Sequence, residues 1–347
     1  MEELQSDIRS LQSDLDMLRK GIDLSSVRDA IEDLDTKLTL LPQRIADLRT
    51  KNYPFEKTLE SKTADIQKRW PQVRASVQAQ IGTLSLQLRN TIQPLEHRMA
   101  QLVSTHVVQM ARPMADALES EINGLQARVK SAENTLNGMY NTISSEMESL
   151  FKHIDEIEWM LTQIAEAKFT LLPTEAGVKA VKAVWARDGK EDKNDPEGVL
   201  YLTDQRILFE QKQEVATKKV LFVTTEREKV QSLQFEAALS QINTVTANKQ
   251  GLFKNEDFIK IEFNTGAFAR EVLMHIWQDS AEWTGAINRV RTGDLDKDRT
   301  VEVDKTAVEK VKAAPTKCPS CGGTLNKDVL RGQDSITCEY CGAIIRL

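Results

Sequence analysis

Gly198-Val-Leu-Tyr-Leu-Thr-Asp-Gln-Arg-Ile-Leu-Phe209 is the stretch on which the fold turns. Two runs of strand-forming residues flank Thr203-Asp204-Gln205, whose short polar side chains favour a turn, so the stretch predicts a hairpin or a long bent strand pair. The same two-residue periodicity extends outward from it. Val178, Val181 and Val184-Trp185 mark a strand before it, and Lys219–Thr224, Ser232–Ala237, Ile242–Asn248 and Phe258–Phe263 mark strands after it. From about Ala267 to Arg291 the period changes. Val272, Ile276, Trp283, Ile287 and Val290 then fall on one side of a single amphipathic helix.

Seven or so antiparallel strands closed by one helix is the order of a pleckstrin-homology-like (PH-like) barrel. The quoted stretch resembles the G-x-L-x-L-T-x-x-R-L-x-F strand pair of GRAM and bacterial PH-like domains. Ile242-Asn-Thr-Val245, Gly251-Leu-Phe253 and Phe258-Ile-Lys-Ile-Glu-Phe263 resemble that family's next strands. The resemblance covers about residues 172–292. It departs from the family in a polar excursion, Gln211 to Lys219 with Thr225 to Lys229, that lengthens one hairpin. It implies a docking surface for lipid headgroups or protein segments, and Lys212, Lys218, Lys219, Lys249 and Lys254 are the candidate cations, with Lys260 beside them and acidic residues interleaved. Arg206 is expected to brace its turn rather than hold a phosphate, and Phe222, Phe253 and Trp277 to fill the barrel rather than enter lipid.

The four cysteines of the chain are Cys318, Cys321, Cys338 and Cys341, two CxxC knuckles separated by sixteen residues. That spacing is the one at which two tight turns and a hairpin bring four thiolates around one zinc ion. Four sulfurs leave no open position, so the expected ion is a single structural Zn2+. Glycine follows the second cysteine of each knuckle, where a left-handed backbone is needed. The last thirty or so residues resemble the short zinc-ribbon family, which implies a metal site and no particular function. Lys317, Lys327, Arg331 and Arg346 are offset by Asp328, Asp334 and Glu339, which disfavours nucleic acid as the partner.

The region 1–170 reads as helix. Ile8, Leu11, Leu15, Leu18 and Ile22 form one heptad seam, the phase slips between Gly21 and Ser26, and Val27, Ile31, Leu34, Leu38, Leu41, Ile45 and Leu48 form a second. Asn52-Tyr-Pro54 breaks the pattern, because proline lacks the amide a helix needs. A third stripe runs from Ile66 through Leu102, His106 and Met110 with a mean step of about 3.7 residues, near the eleven-residue repeat. It continues from Met114 to Ile164. Pro71, Pro94 and Pro113 interrupt it, and each is expected to kink or end the helix. Two arrangements satisfy the stripe: a long kinked helix that dimerises, or shorter helices folded antiparallel on each other. His97, His106 and His153 are read as structural or exposed.

A net charge of −6 over 347 residues argues against a protein built to neutralise phosphates. No apolar run is long enough to cross a bilayer, the N-terminus lacks the basic and apolar regions of a signal peptide, and the cysteines suit a reducing, cytoplasmic compartment. No phosphate loop, nucleophile triad or HExxH motif is present, and Asp188 to Asp195 lacks the spacing of an EF-hand.

The fold class is therefore multidomain α + β: a long α-helical coiled coil (1–170), a PH-like β-barrel with its closing helix (172–292), a charged flexible tether (293–316) and a zinc ribbon (317–347). The function that follows is a non-enzymatic cytosolic scaffold or adaptor, bacterial in type, that forms homo-oligomers through its coil and docks protein partners through barrel and ribbon. The alternatives are a peripheral membrane protein binding anionic lipid at the inner membrane surface through the barrel, and nucleic-acid binding through the ribbon.

Overall fold

A computed structural model of the chain describes residues 2–220, 223–251, 255–325 and 328–347; between 215 and 228 it describes backbone alone. The described chain divides into two units, 1–44 with 60–152, and 45–59 with 153–347.

The first unit is helical. Helix α1 (Glu2–Gly21) and α2 (Ser25–Thr50) meet where the seam slips, with Leu24 at φ +53°. Helix α3 is Leu59–Ser104 and α4 is Val108–Ala165. Cross-helix pairs give the directions. Arg19 meets Glu96, Arg89 meets Asp23 and Arg74 meets Asp35, so α1 and α2 run antiparallel to α3. Arg98 with Glu121 and Arg69 with Glu146 set α3 antiparallel to α4, and Arg112 with Asp7 sets α1 parallel to it. Of the two arrangements that the stripe allowed, the chain adopts the folded one, and Leu11, Ile31, Val77, Ile81, Leu118 and Leu136 bury their side chains within a single chain.

The prolines do not end these helices. Pro42, Pro71, Pro94 and Pro113 lie inside α2, α3 and α4, all at exposed positions. On an exposed helix face a carbonyl left without its amide partner can be solvated, which lowers the cost of the missing bond. The chain reverses instead at Thr105–Val107, in a run of Val, Ser, Thr and His with weak helix preference. His106 and Met110, counted as members of the third stripe, are therefore exposed at the reversal rather than buried in a seam.

The second unit contains a seven-stranded antiparallel sheet in the order β4-β3-β2-β1-β7-β6-β5. Its strands are β1 (Gly177–Trp185), β2 (Glu197–Thr203), β3 (Arg206–Val220), β4 (Val223–Ala238), β5 (Ile242–Gln250), β6 (Glu256–Phe263) and β7 (Glu271–Ile276). The quoted stretch forms β2, the turn and the start of β3, with Leu200 opposite Phe209 and Leu202 opposite Ile207. Gly198 is required by close approach: a Cβ there would lie 1.9 Å from the Glu210 carbonyl oxygen. Helix α5 (Ser280–Arg291) closes the barrel by burying Trp283 and Ile287 against Leu200, Phe209, Ile259 and Met274. Asp279 caps it, accepting from the Ala281 and Glu282 amides.

Three expectations change here. The helix expected from Ala267 begins only at Ser280, because Glu271–Ile276 is strand β7, whose alternating burial was masked by its apolar partners in the helical count. Of the strand expected over Lys219–Thr224, Lys219-Val220 ends β3, Val223-Thr224 begins β4 and residues 221–222 lie outside the described ones, and the polar excursion continues the β3–β4 ladder to Val220 and Val223. The segment 293–316 is also more than a tether. It holds a 3-10 helix (Leu295–Asp298) and α6 (Lys305–Ala313), and the Thr300 amide donates to the Pro54 carbonyl at 2.7 Å. The ribbon adds β8 (Ser335–Thr337) paired with β9 (Ile344–Arg346).

Candidate metal centre and the turn that holds it

The two knuckles of the ribbon are built alike. In the first, the Cys318 amide donates to the Gly323 carbonyl and the Gly322 amide to the Cys318 carbonyl, both at 2.8 Å; in the second, Cys338 donates to Ala343 and Gly342 to Cys338, both at 2.9 Å. Gly322 and Gly342 take φ of +76° and +72°, which any side chain would strain. Ile336 and Ile345 face each other across β8 and β9 and, with Leu325, Val329, Ala343 and Leu347, form the apolar core of the described ribbon.

The four Sγ atoms lie within 4.8 Å of one another, and both Cys318–Cys341 and Cys321–Cys338 are 3.7 Å apart. A disulfide would need about 2.05 Å. A tetrahedral ion with about 2.3 Å bonds to sulfur sets its ligands about 3.8 Å apart. The donor set therefore fits a thiolate-bound metal such as zinc. Amide donation from Cys321 draws the Cys318 thiol down to about 6. The Ala343 amide favours a Cys341 thiolate, but hydrogen bonding to Cys321, burial, and hydrogen bonds to Cys318 and Cys338 push that thiol up to about 12. The first proton leaves easily and the last is retained, because converging thiolates repel until a cation joins them.

The ribbon is seated on the barrel by the Thr203-Asp-Gln-Arg206 turn. Thr203 Oγ1 accepts from the Gln205 and Arg206 amides and donates to Glu175 Oε1 at 2.6 Å. Arg206 binds both Glu175 oxygens at 2.9 and 2.6 Å, and also Glu236 Oε2 and the Thr170 carbonyl. It braces the turn, as its position between strands suggested. Asp204 Oδ1 accepts from the Ala176 amide, and its Oδ2 accepts from Arg331 at 2.7 Å and from Arg299. Gln205 makes a reciprocal pair with Arg331, accepting from its amide at 2.6 Å and donating to its carbonyl at 3.1 Å. Burial pushes the Asp204 carboxyl up, against the Ala176 amide and the two guanidinium groups that favour its charge. Sequence reasoning missed this clamp, because the partners of Asp204 lie 95 and 127 residues along the chain.

No protein-family model matches the chain, and no curated protein matches it. Among solved structures it is similar to the Vps36 N-terminal PH domain, at 14% identity and a TM-score of 0.24, over 35% of this chain and 82% of that one. It is also similar to the DH/PH domains of p115-RhoGEF, at 12% identity and a TM-score of 0.22, over 84% and 94% of the two chains. Likenesses this weak add nothing to the argument. The PH-like barrel rests on the strand order and closing helix described above.

The described candidate lysines do not converge. Lys212, on β3, is mostly buried, bonds Gln163 Oε1 at 3.1 Å and lies 3.6 and 3.8 Å from the carboxylates of Glu166 and Glu210. Lys249, at the opposite end of the sheet order on β5, pairs with Asp257 at 2.5 Å and Asp279 at 3.6 Å. Lys260 pairs with Glu262 and Glu271. The side chains of Lys218 and Lys219, and Lys254 with Phe222 and Phe253, lie outside the described residues. Trp277, expected inside the barrel, is exposed: it follows buried Ile276, so strand alternation turns it outward, where it stacks on His275 at 4.5 Å. His153 pairs with Glu56 at 2.6 Å, whose backbone sits at φ +59°. No helix among the described residues is long and apolar enough to cross a membrane.

Proposed function

We propose that the chain is a non-enzymatic docking protein whose PH-like barrel and ribbon act as one protein-binding head, with a single structural Zn2+ held by Cys318, Cys321, Cys338 and Cys341. One observation carries the reading: the described cations best placed to grip a phosphate, Arg206, Lys212 and Lys249, are each held by internal carboxylates. Arg331 of the ribbon is likewise engaged by Asp204, which leaves the ribbon little positive charge for nucleic acid. Among its exposed side chains the head offers apolar ones as well: Tyr340 and Ile344 on the ribbon and Phe268 and Trp277 on the barrel. Aromatic and aliphatic side chains of this kind anchor protein interfaces.

The Gly198–Phe209 pattern supports a GRAM-type version of the barrel, and the absence of a recognisable catalytic constellation in the sequence supports a binding role over a reaction. The helical seams bury themselves within one chain, so self-association is no longer needed to satisfy them.

The test is crosslinking mass spectrometry with the full chain in lysate of the organism it comes from, comparing the native sequence with Tyr340→Ser/Ile344→Ser and with Trp277→Ser. A partner whose crosslinks map to the ribbon or β7, and fall about tenfold in either variant, is the expected result. Crosslinks indifferent to both variants, with anionic vesicles bound at low salt through Lys212 and Lys249, would transfer the role to lipid.

A further inference from the structure

The reversal between α3 and α4 departs from the composition of everything around it. From Met99 to Ala111 there is no Asp, Glu, Lys or Arg, in a chain of which 28% is charged. Within eight residues of this stretch, Val103, Val107, Val108 and Met110 are 49, 52, 40 and 63% exposed. The next densest exposed apolar stretch among the described residues, Tyr340 to Ile344, holds two.

Part of the tip's polar groups is satisfied from within. Ser104 Oγ and Thr105 Oγ1 both donate to the Gln101 carbonyl, at 2.8 and 2.9 Å. The Thr105 amide donates to Leu102, and the Met110 and Ala111 amides both donate to Val107. Those hydroxyls and amides therefore lose little when water is removed, the amides of His106 to Gln109 stay available to interfacial water and headgroup oxygens, and four aliphatic side chains gain. Leu102 and Ala111, buried just behind, anchor the tip to the bundle.

The size of the patch decides its occupant. Four side chains supply at most a few hundred Å2, against about 800 Å2 per partner in a standard protein interface, so neither a second copy nor a protein partner is held by this surface alone. A bilayer requires no complementary surface; it accepts aliphatic groups individually at the boundary of headgroups and acyl chains. Headgroup charge contributes little, because Arg98 and Arg112 are paired with Glu121 and Asp7, and α1, running parallel to α4, begins beside the tip with Glu2 and Glu3.

We propose that the α3–α4 tip is a membrane-insertion site, entering the interfacial layer of a lipid bilayer through Val103, Val107, Val108 and Met110. The proposal is independent of the ribbon and barrel: partner capture there can fail while lipid binding through the tip persists.

The experiment is flotation of the full chain with small phosphatidylcholine vesicles, with and without phosphatidylglycerol, at low and high salt. Both vesicle types should carry the protein, with little loss at high salt. Val107→Asn/Val108→Asn/Met110→Gln should lower the bound fraction about tenfold, while Leu40→Asn/Leu86→Asn, at exposed apolar sites elsewhere in the bundle, should leave it unchanged. Circular dichroism checks that both variants keep their helix. Absence of flotation, flotation that survives the tip substitutions, or binding confined to phosphatidylglycerol and lost in salt would each overturn the proposal. So would a dimer of the native chain in sedimentation equilibrium that the tip substitutions dissociate.

Discussion

The two units use the same ion-pair chemistry to different ends. In the helical unit Asp35 and Arg74 meet at 3.0 Å with their side chains 36 and 38% exposed; at the β2–β3 turn Asp204 meets Arg331 at 2.7 Å while 2% exposed. Water screens the first pair, which can select helix register but adds little stability. The second is enclosed, so each partner depends on the others for its solvation, and loss of one leaves the rest buried and uncompensated. Exposed pairs can align elements that an apolar seam already holds together, whereas an enclosed pair can hold one module onto another.

The largest effect expected of any break in this contrast is metal removal. Chelation, or Cys338→Ser, should unfold the ribbon, since its core is a handful of side chains and metal binding supplies on the order of 10 kcal/mol in small zinc modules. Native mass spectrometry should give one zinc per chain before treatment and none after, and amide exchange should rise across β8 and β9 while the helical unit keeps its protection. Continued protection of the ribbon without metal would show that the Asp204 clamp alone orders it.

Next in size is the clamp. Asp204→Ala should cost about 3–5 kcal/mol in the second unit, because it leaves Arg331 without its carboxylate and Arg299 with Asp296 alone, whereas Arg74→Ala should cost under about 1 kcal/mol. Denaturant melts of the two variants measure the difference directly. Equal losses would mean that water reaches Asp204.

The smallest effect concerns His153. The hydrogen bond that its Nε2 donates to Glu56 raises its pKa above the ordinary histidine value, against partial burial. A raised histidine stabilises the fold fully below its unfolded pKa and loses that contribution as pH climbs through the folded one. Stability of the second unit should therefore decline slightly from pH 6 upward until His153 is neutral, a decline that Glu56→Gln abolishes. NMR titration of the imidazole provides the check.

Much of this molecule was legible in the order of its residues. The two early seams, the break at Asn52-Tyr-Pro54, the Gly198–Phe209 hairpin and the four cysteines each depend on neighbours within a few positions. The errors share a cause. Pro71, Pro94 and Pro113 were expected to kink or end the helix, and none ends it: each sits at an exposed position, and which face a residue takes is a tertiary fact. β7 was read as helix because Val272 and Ile276 satisfy both periods in a short window.

The sequence by itself determined the four-cysteine cluster and most of the helical and strand segments, since short-range spacing suffices for a knuckle, a heptad or a hairpin. Only the tertiary structure decided that the helices fold back at Thr105–Val107, that Arg206 and Lys212 face carboxylates rather than solvent, and that the ribbon is clamped at Asp204. Those outcomes join residues such as Asp204 and Arg331, 127 positions apart, and no local pattern records which distant charge will share a buried site.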